Sequence, residues 1–313
     1  MSSPATASRT ATSCHIAPCR DDAQLRAYID QHWRAGHVLA RDERMFNFTY
    51  RTPWVDRAHF PSGTSVLCIY DDDGEHGPKG QLLGFLGTIV ASYPRPTSYW
   101  LALWHVLPSL KGTGLGGKLL AQMQSHAESA DGWIGTFGAG PEAVPVYLKR
   151  GYAVRAVRRW IFDPKGLAEA GERPWTRPTP PAITEHQPDD AWLAHRYDDH
   201  PILAYERSPA GVFRTETNAW GVVTHACRIT DGVTDGLRCV WERGRRLADV
   251  AGVPHLMDAW DFDCPGPGWA LATKDLPSVF HPPAARGNLI HAAGRPFLPS
   301  IVTKGDCDQD RPN

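Results

Sequence analysis

Between Val106 and Lys118 the chain reads V-L-P-S-L-K-G-T-G-L-G-G-K, and the glycines at 112, 114, 116 and 117 are its densest chemical signal. Glycine lets the main chain approach a ligand closely and turn successive N–H groups toward one point. An apolar stripe follows at helical spacing (Leu115, Leu119, Leu120, Met123 and Ala127), so the loop opens onto a helix whose positive dipole end faces the same point. Val106, Lys111, Gly112, Thr113, Gly114, Leu115, Gly116 and Gly117 thus form an anion cradle suited to a pyrophosphate. It is not a Walker loop, because Leu119 rather than Ser or Thr follows Lys118. It does not fit a dinucleotide fingerprint either: the strands before it read as antiparallel, and no acidic residue closes a following strand at the right distance. A tight strand-to-helix turn without a ligand is the plainer reading of the same glycines.

His105 is the one residue of Tyr99–Val106 that titrates near neutrality, and it can take a proton from an amine directly or through water. Flanked by Trp104 and Val106, it also reads as a satisfied core histidine. The basic residues Lys149, Arg150, Arg155, Arg158 and Arg159 either steer phosphates or form the solvated face of an outer strand. Further on, His195–Tyr205 gathers Arg196, Tyr197 and His200 among two aspartates and a second tyrosine. That density of hydrogen-bonding and stacking groups fits a sugar or nucleotide contact, or a polar loop.

The elements that must position these residues follow from periodicity. Asp21 and Asp22 cap a helix carrying Leu25, Ile29 and Trp33 that ends about Gly36. Strands over 65–70 and 81–91 form a hairpin around 71–80, the second strand apolar enough for burial on both faces. A third strand spans 99–106, followed by the glycine loop and its helix, a strand over 132–138, a helix over 142–150 stopped by Gly151, and a strand over 152–162. The order is β-β-β-α-β-α-β. Prolines 164, 174, 178, 180, 181 and 188 then break any regular pattern. Beyond them the order partly repeats, with strands over 211–217 and 222–229, a helix from Asp235 to about Ala251, and a strand over 255–262. The echo is either a duplicated unit that lost its loop or a common way to build a mixed layer.

K-G-T-G-L-G resembles the acyl-CoA-binding motif of the GNAT acyltransferase family (Gln or Arg, two residues, Gly, one residue, Gly or Ala), with Lys111 in the first place. Lysine keeps the cation but loses the planar fork. Leu103–Pro108 resembles the bulged strand against which pantetheine lies in such folds, pairing with main chain as an extra strand. Ala143–Tyr152, A-V-P-V-Y-L-K-R-G-Y, is similar to the family's later helix, small-x-x-x-Tyr-x-x-x-Gly-aromatic; Pro145 departs from it but falls in the first turn, where proline is tolerated. The resemblance covers about residues 21–163. It implies an α/β GNAT fold with a mixed, centrally splayed sheet, and transfer of an acyl group from acetyl-CoA to an amine by direct attack through a tetrahedral intermediate. It makes Tyr147, otherwise a core aromatic, the acid that protonates the departing thiolate. No family glutamate base stands on 99–106, which leaves His105.

Three shorter signatures, F-x-x-x-Y (Phe46–Tyr50), R-Y-x-x-H-P (Arg196–Pro201) and the terminal G-D-x-D-Q-D-R-P-N, resemble a bacterial group of GNAT proteins encoded with surface-polysaccharide enzymes. That resemblance implies an amino sugar, free or nucleotide-linked, as acceptor, contacted by Arg196, Tyr197 and His200. Two alternatives stay open: another small amine or a peptide amine, as tandem-GNAT enzymes allow, and a non-catalytic CoA-binding or scaffolding protein. The expected organisation is a disordered tail over 1–20, an acyl-CoA-binding GNAT domain over 21–163, a Pro-rich linker over 164–191, and a GNAT-like partner domain over 192–313 that shapes the acceptor cleft.

Composition bounds these readings. The chain has 313 residues, 42% hydrophobic and 21% charged, with 33 Lys plus Arg against 34 Asp plus Glu. Near-neutrality argues against a whole-chain nucleic-acid binder. The longest nearly apolar stretch, Leu82–Ala91, is far shorter than the roughly 20 residues of a membrane span. The N-terminal residues lack an apolar leader core, so a cytoplasmic protein is expected. The cysteine total of 7 is odd and contains no C-x-x-C pair, which suits a reducing compartment. Neither C-H-I-A-P-C nor the alternating Asp306, Asp308 and Asp310 is a complete metal site, so no metal is expected. These residues carry no sign of oligomeric state.

Overall fold

The apolar runs that read as strands pair edge to edge into one sheet, in a computed structural model that describes residues 13–93, 97–165, 188–229, 234–261, 264–272 and 286–292. Asp21 caps α1 (Asp22–Tyr28) by accepting from the amides of Ala23 and Gln24. The expected single helix to Gly36 instead loosens into a π turn over Ile29–Trp33, and Gly36 follows in the left-handed region at φ +76°. Two further short helices complete this face, α2 (Val38–Arg41) and α3 (Glu43–Tyr50), the latter capped by Asp42 and burying Met45, Phe46, Thr49 and Tyr50.

Strands β1 (Cys14–Pro18), β2 (Val66–Asp71), β3 (Leu82–Ala91) and β4 (Ser98–Val106) run antiparallel in that order. The tail expected over 1–20 is therefore a strand from residue 14, held by pairing from Cys14 opposite Asp71 to Pro18 opposite Leu67. Residues 1–12 lie outside the described chain. Every residue of β2 and β3 is buried, as strands covered on both faces must be. One face carries α1–α3. The other carries α4 (Leu115–Ser129), which buries the expected stripe of Leu115, Leu119, Leu120, Met123 and Ala127.

Two irregularities open the sheet at β4. Between the pairs Leu86–Trp104 and Thr88–Leu101 the register shifts, so Ala102 and Leu103 oppose the single residue Gly87, a β-bulge. Only glycine fits there, because a Cβ at position 87 would lie 2.6 Å from the Tyr50 ring. Beyond the bulge β4 diverges from β5 (Trp133–Phe137): the two pair in parallel only at Ser98–Trp100 against Trp133–Gly135. This is the central splay.

α5 (Val144–Lys149) and β6 (Tyr152–Phe162) follow. The second half adds α6 (Asp190–Leu193), β7 (Glu206–Ser208), β8 (Gly211–Asn218), β9 (Gly221–Ile229), α7 (Thr234–Ala251), β10 (His255–Asp261), β11 (Trp269–Leu271) and β12 (Arg286–Ala292). The sheet order is β1-β2-β3-β4-β5-β12-β6-β10-β9-β8-β7, with β11 also on β6. β9, α7 and β10 form a parallel β-α-β unit like β4, α4 and β5. β9 and α7 are separated by residues 230–233, which lie outside the described residues, against residues 107–114 between β4 and α4.

The expected boundary at 164–191 does not divide the sheet. β12, from the far end of the chain, inserts between β5 and β6 and pairs antiparallel with both. β6 is consequently interior rather than an outer strand. Arg159, read as solvated, is 2% exposed and paired with Asp258, which is 1% exposed, at 2.5 Å. Most of the linker, 166–187, and the terminal signature lie outside the described residues. No described helix is long and apolar enough to cross a membrane.

Candidate active site

The divergence of β4 from β5 leaves a cleft of about 1280 Å³ whose walls are residues 102–106 of β4, residues 136–140 at and beyond the end of β5, the glycine loop and α5. Along β4 successive side chains point to opposite faces. Trp104 faces α5, where its ring meets Tyr147 edge to face at 5.6 Å. His105 faces α1, packing on Tyr28 at 5.6 Å and on Trp33 at 5.7 Å between ring centres. The splay joins these two faces, so His105 and Tyr147 line the same cleft from opposite sides of the sheet.

At the cleft mouth Pro108–Leu110 form a short 3₁₀ turn, and Gly112 and Gly114 take φ of +87° and +84°. This left-handed backbone is open to glycine without strain. Gly114 is the N-cap of α4 and offers no side-chain cap, so the first-turn amides, residues 115–117, lack intrahelical acceptors and form an uncapped donor set at the positive end of the helix. The Thr113 hydroxyl turns inward to donate to the Leu110 carbonyl at 2.7 Å. Lys111, expected as the cation of the cradle, reaches across the mouth to Glu142 at 3.0 Å; both side chains are exposed. Arg150 stands nearer the helix start: its guanidinium would lie 2.8 Å from a Cβ at Gly117. In the sequence Arg150 stands out only as one of a general basic stretch.

Tyr147 is 3% exposed and packs on Tyr152 as well as Trp104. His105 is half-buried, and desolvation, reinforced by nearby His32, lowers its pKa below the usual imidazole range. Its Nδ1 lies 2.9 Å from the Tyr28 hydroxyl.

The far wall holds a residue that sequence reasoning missed. Asn288 of β12 accepts from the Ala139 amide at 3.0 Å and donates to the Ala139 carbonyl at 3.1 Å, while its main-chain carbonyl accepts from Gly138 at 2.7 Å. The C-terminal strand thus fixes the lining segment 138–140.

Arg196, Tyr197 and His200 do not reach the cleft. They are 4%, 2% and 8% exposed, within and after a π turn over Ala194–Asp198. His200 packs on Phe48 of α3 and accepts the amides of Ile202 and Leu203; Tyr197 packs on Tyr205 beside Val212 and Cys227. Neighbouring His195 stacks on Phe48 at 4.7 Å. Of this cluster, His195 and His200 pack the second half against α3. Among the described residues no group of three or more His, Cys, Asp or Glu could hold a metal ion.

A splayed mixed sheet, an uncapped glycine loop at the splay and titratable groups on both walls meet in this one cleft. Residues 62–159 match the family model described as an acetyltransferase (GNAT) domain, a span that contains the glycine loop, His105 and Tyr147. The chain therefore carries a GNAT acetyltransferase domain, and it is an acyltransferase. Two solved structures share its fold. A GCN5-related N-acetyltransferase from Anabaena variabilis is 9% identical, with 89% of this chain and 72% of that chain covered and a TM-score of 0.52. One from Kribbella flavida is 11% identical, with 89% and 70% covered and a TM-score of 0.54. No curated protein matches the sequence.

Proposed function

We propose that the chain is an acetyl-CoA-dependent N-acetyltransferase that transfers the acetyl group directly to an amine between His105 and Tyr147. The observation that carries this reading is the meeting of three features in one cleft: the uncapped donor loop, a half-buried histidine on one wall and a buried tyrosine on the other.

The pyrophosphate of acetyl-CoA lies over residues 112–117, its charge met by the α4 amides and Arg150. The edge of β4 freed by the splay offers main-chain groups to the pantetheine amides, and the thioester comes between the walls. The amine nitrogen attacks the thioester carbonyl carbon and gives its proton to His105. The carbon–sulfur bond then breaks, and the thiolate takes its proton from the Tyr147 hydroxyl. A lowered pKa keeps His105 unprotonated at neutral pH, as a base requires.

The leading acceptor is an amino sugar, free or nucleotide-linked, on the strength of the short signatures that resemble polysaccharide-associated GNAT proteins. The lining charges Lys111, Lys149 and Arg150 against Glu142 disfavour a polycationic acceptor such as a polyamine. Trp33, 41% exposed beside His105, offers an aromatic platform on the acceptor side. The free thiols of Cys19 and Cys68, both buried, support a cytoplasmic setting.

The test supplies acetyl-CoA with glucosamine, nucleotide-linked amino sugars, a polyamine and a short peptide, and follows release of free thiol. Turnover on a sugar is expected. Turnover confined to the polyamine or peptide refutes the acceptor, and silence on every amine refutes the enzyme reading in favour of a CoA-binding protein.

A further inference from the structure

We infer that Tyr28 is a positioning residue that fixes the tautomer of His105, placing the proton on Nδ1 and leaving the Nε2 lone pair for the acceptor amine. This rests on the reading of His105 as the base.

Tyr28 is 4% exposed, and its hydroxyl has two neighbours: the Leu83 carbonyl at 3.1 Å and His105 Nδ1 at 2.9 Å. A phenol has one proton to donate and lone pairs to accept with. The Leu83 oxygen can only accept. If the phenol gave its proton to Nδ1, two buried oxygens would face each other at 3.1 Å with no proton between them, a repulsive contact in a low-dielectric interior. If the phenol donates to Leu83, every group is satisfied: Nδ1–H donates to Tyr28, Tyr28 donates to Leu83, and the second lone pair of Leu83 takes the Leu107 amide at 2.9 Å. Burial also holds the phenol well above its usual pKa, so it stays a donor.

The arrangement suits a base that must gain and lose a proton without moving. A proton arriving at Nε2 leaves the Nδ1–H bond to Tyr28 in place and strengthens it, because the donor is then charged. With the opposite tautomer the only basic nitrogen would be Nδ1, covered by Tyr28. The ring is held on its other sides by Trp33 and by Tyr28 itself, whose ring packs on His32 and Phe85. On the α1 side the titratable groups near the ring are Tyr28 and His32, with Cys68 beside Tyr28; those lining the cleft are Tyr147, Glu142, Lys111, Lys149 and Arg150.

The experiment is nitrogen NMR of the full chain with ¹⁵N-labelled histidine, the His105 signals identified by their loss in His105→Gln. In the wild type at neutral pH, Nδ1 is expected to show the protonated and Nε2 the unprotonated signature. Tyr28→Phe keeps the ring packing and leaves Leu83 bonded to Leu107, so the fold persists, and the His105 signals should move toward the Nε2–H form. In the same variant kcat for thiol release from acetyl-CoA with glucosamine should fall about 5- to 10-fold, with KM little changed. A wild-type Nε2–H tautomer, or a Tyr28→Phe protein with unchanged His105 signals, overturns the inference. Full activity of His105→Gln overturns the reading beneath it and is told apart because the tautomer is read from the spectrum.

Discussion

Replacing Asn288 by alanine removes two hydrogen bonds from the main chain of Ala139 and leaves the third, from the Gly138 amide to the Asn288 carbonyl, intact. Each lost bond contributes about 1 kcal/mol net, and water reaching the half-buried Ala139 recovers part of it, so the variant should lose about 1–2 kcal/mol. In a chain of this size that lowers Tm by roughly 2–4 °C. The same bonds order segment 138–140, which lines the cleft. If acetyl-CoA needs that wall in place, binding must restore the order, and Kd should rise by up to about tenfold, since about 1.4 kcal/mol is one decade. Thermal unfolding and calorimetric titration with acetyl-CoA measure both quantities on one preparation. Asn288→Asp keeps an acceptor for the Ala139 amide but sets a carboxylate against the Ala139 carbonyl, and should fare no better than alanine. An unchanged Tm would refute the hydrogen-bond reasoning. A lowered Tm with unchanged acetyl-CoA affinity would show that β12 stabilises the sheet without shaping the site.

Tyr147→Phe should lower turnover by roughly 10²- to 10⁴-fold with little change in CoA binding; full turnover under conditions where chemistry is rate-limiting returns Tyr147 to the core. Gly114→Asp places a side chain and a negative charge at a left-handed position of the donor loop, and calorimetry should find acetyl-CoA binding abolished; equal affinity would remove the pyrophosphate site. Because desolvation lowers the His105 pKa, the acid limb of the kcat/KM profile should fall below pH 6.5 and vanish in His105→Gln. In the second half, His225 bridges Asp258 at 2.7 Å and Glu216 at 3.1 Å, and this contact holds the Glu216 carboxyl at about 2 against its ordinary 4.5. A depressed folded-state pKa stabilises above the unfolded value, so this contribution should be lost as pH falls from about 4.5 through about 2. Urea unfolding of wild type and Glu216→Gln should therefore diverge at pH 7 and converge only as pH falls through about 2.

What the sequence disclosed is what local pattern encodes. Continuous apolar runs located β2 and β3, the stripe from Leu115 to Ala127 located α4, and the glycines located the loop, because each of these is decided by residues a few positions apart. β1 was hidden by the Ser- and Thr-rich residues before it and by its brevity. α3 was overlooked although Asp42 supplied a cap signal, since its aromatic residues do not mark a helix by propensity. The larger omissions are long-range. Nothing around Asn288 states that its strand inserts between β5 and β6, so neither the interior position of β6 nor the wall at 138–140 was legible. The cluster at 195–200 looked like a binding site because hydrogen-bonding side chains are dense there. Its burial depends on Phe48, far away in sequence, and local composition does not record which distant ring will cover a polar group.

The structure of the chain with acetyl-CoA bound tests the central claim most directly. The pyrophosphate should lie on the amides of residues 115–117 with Arg150 beside it, the pantetheine along the freed edge of β4, and the sulfur within hydrogen-bond reach of the Tyr147 hydroxyl, with His105 across the thioester. Acetyl-CoA bound outside the splay, or inside it with the sulfur out of reach of Tyr147, would contradict the account.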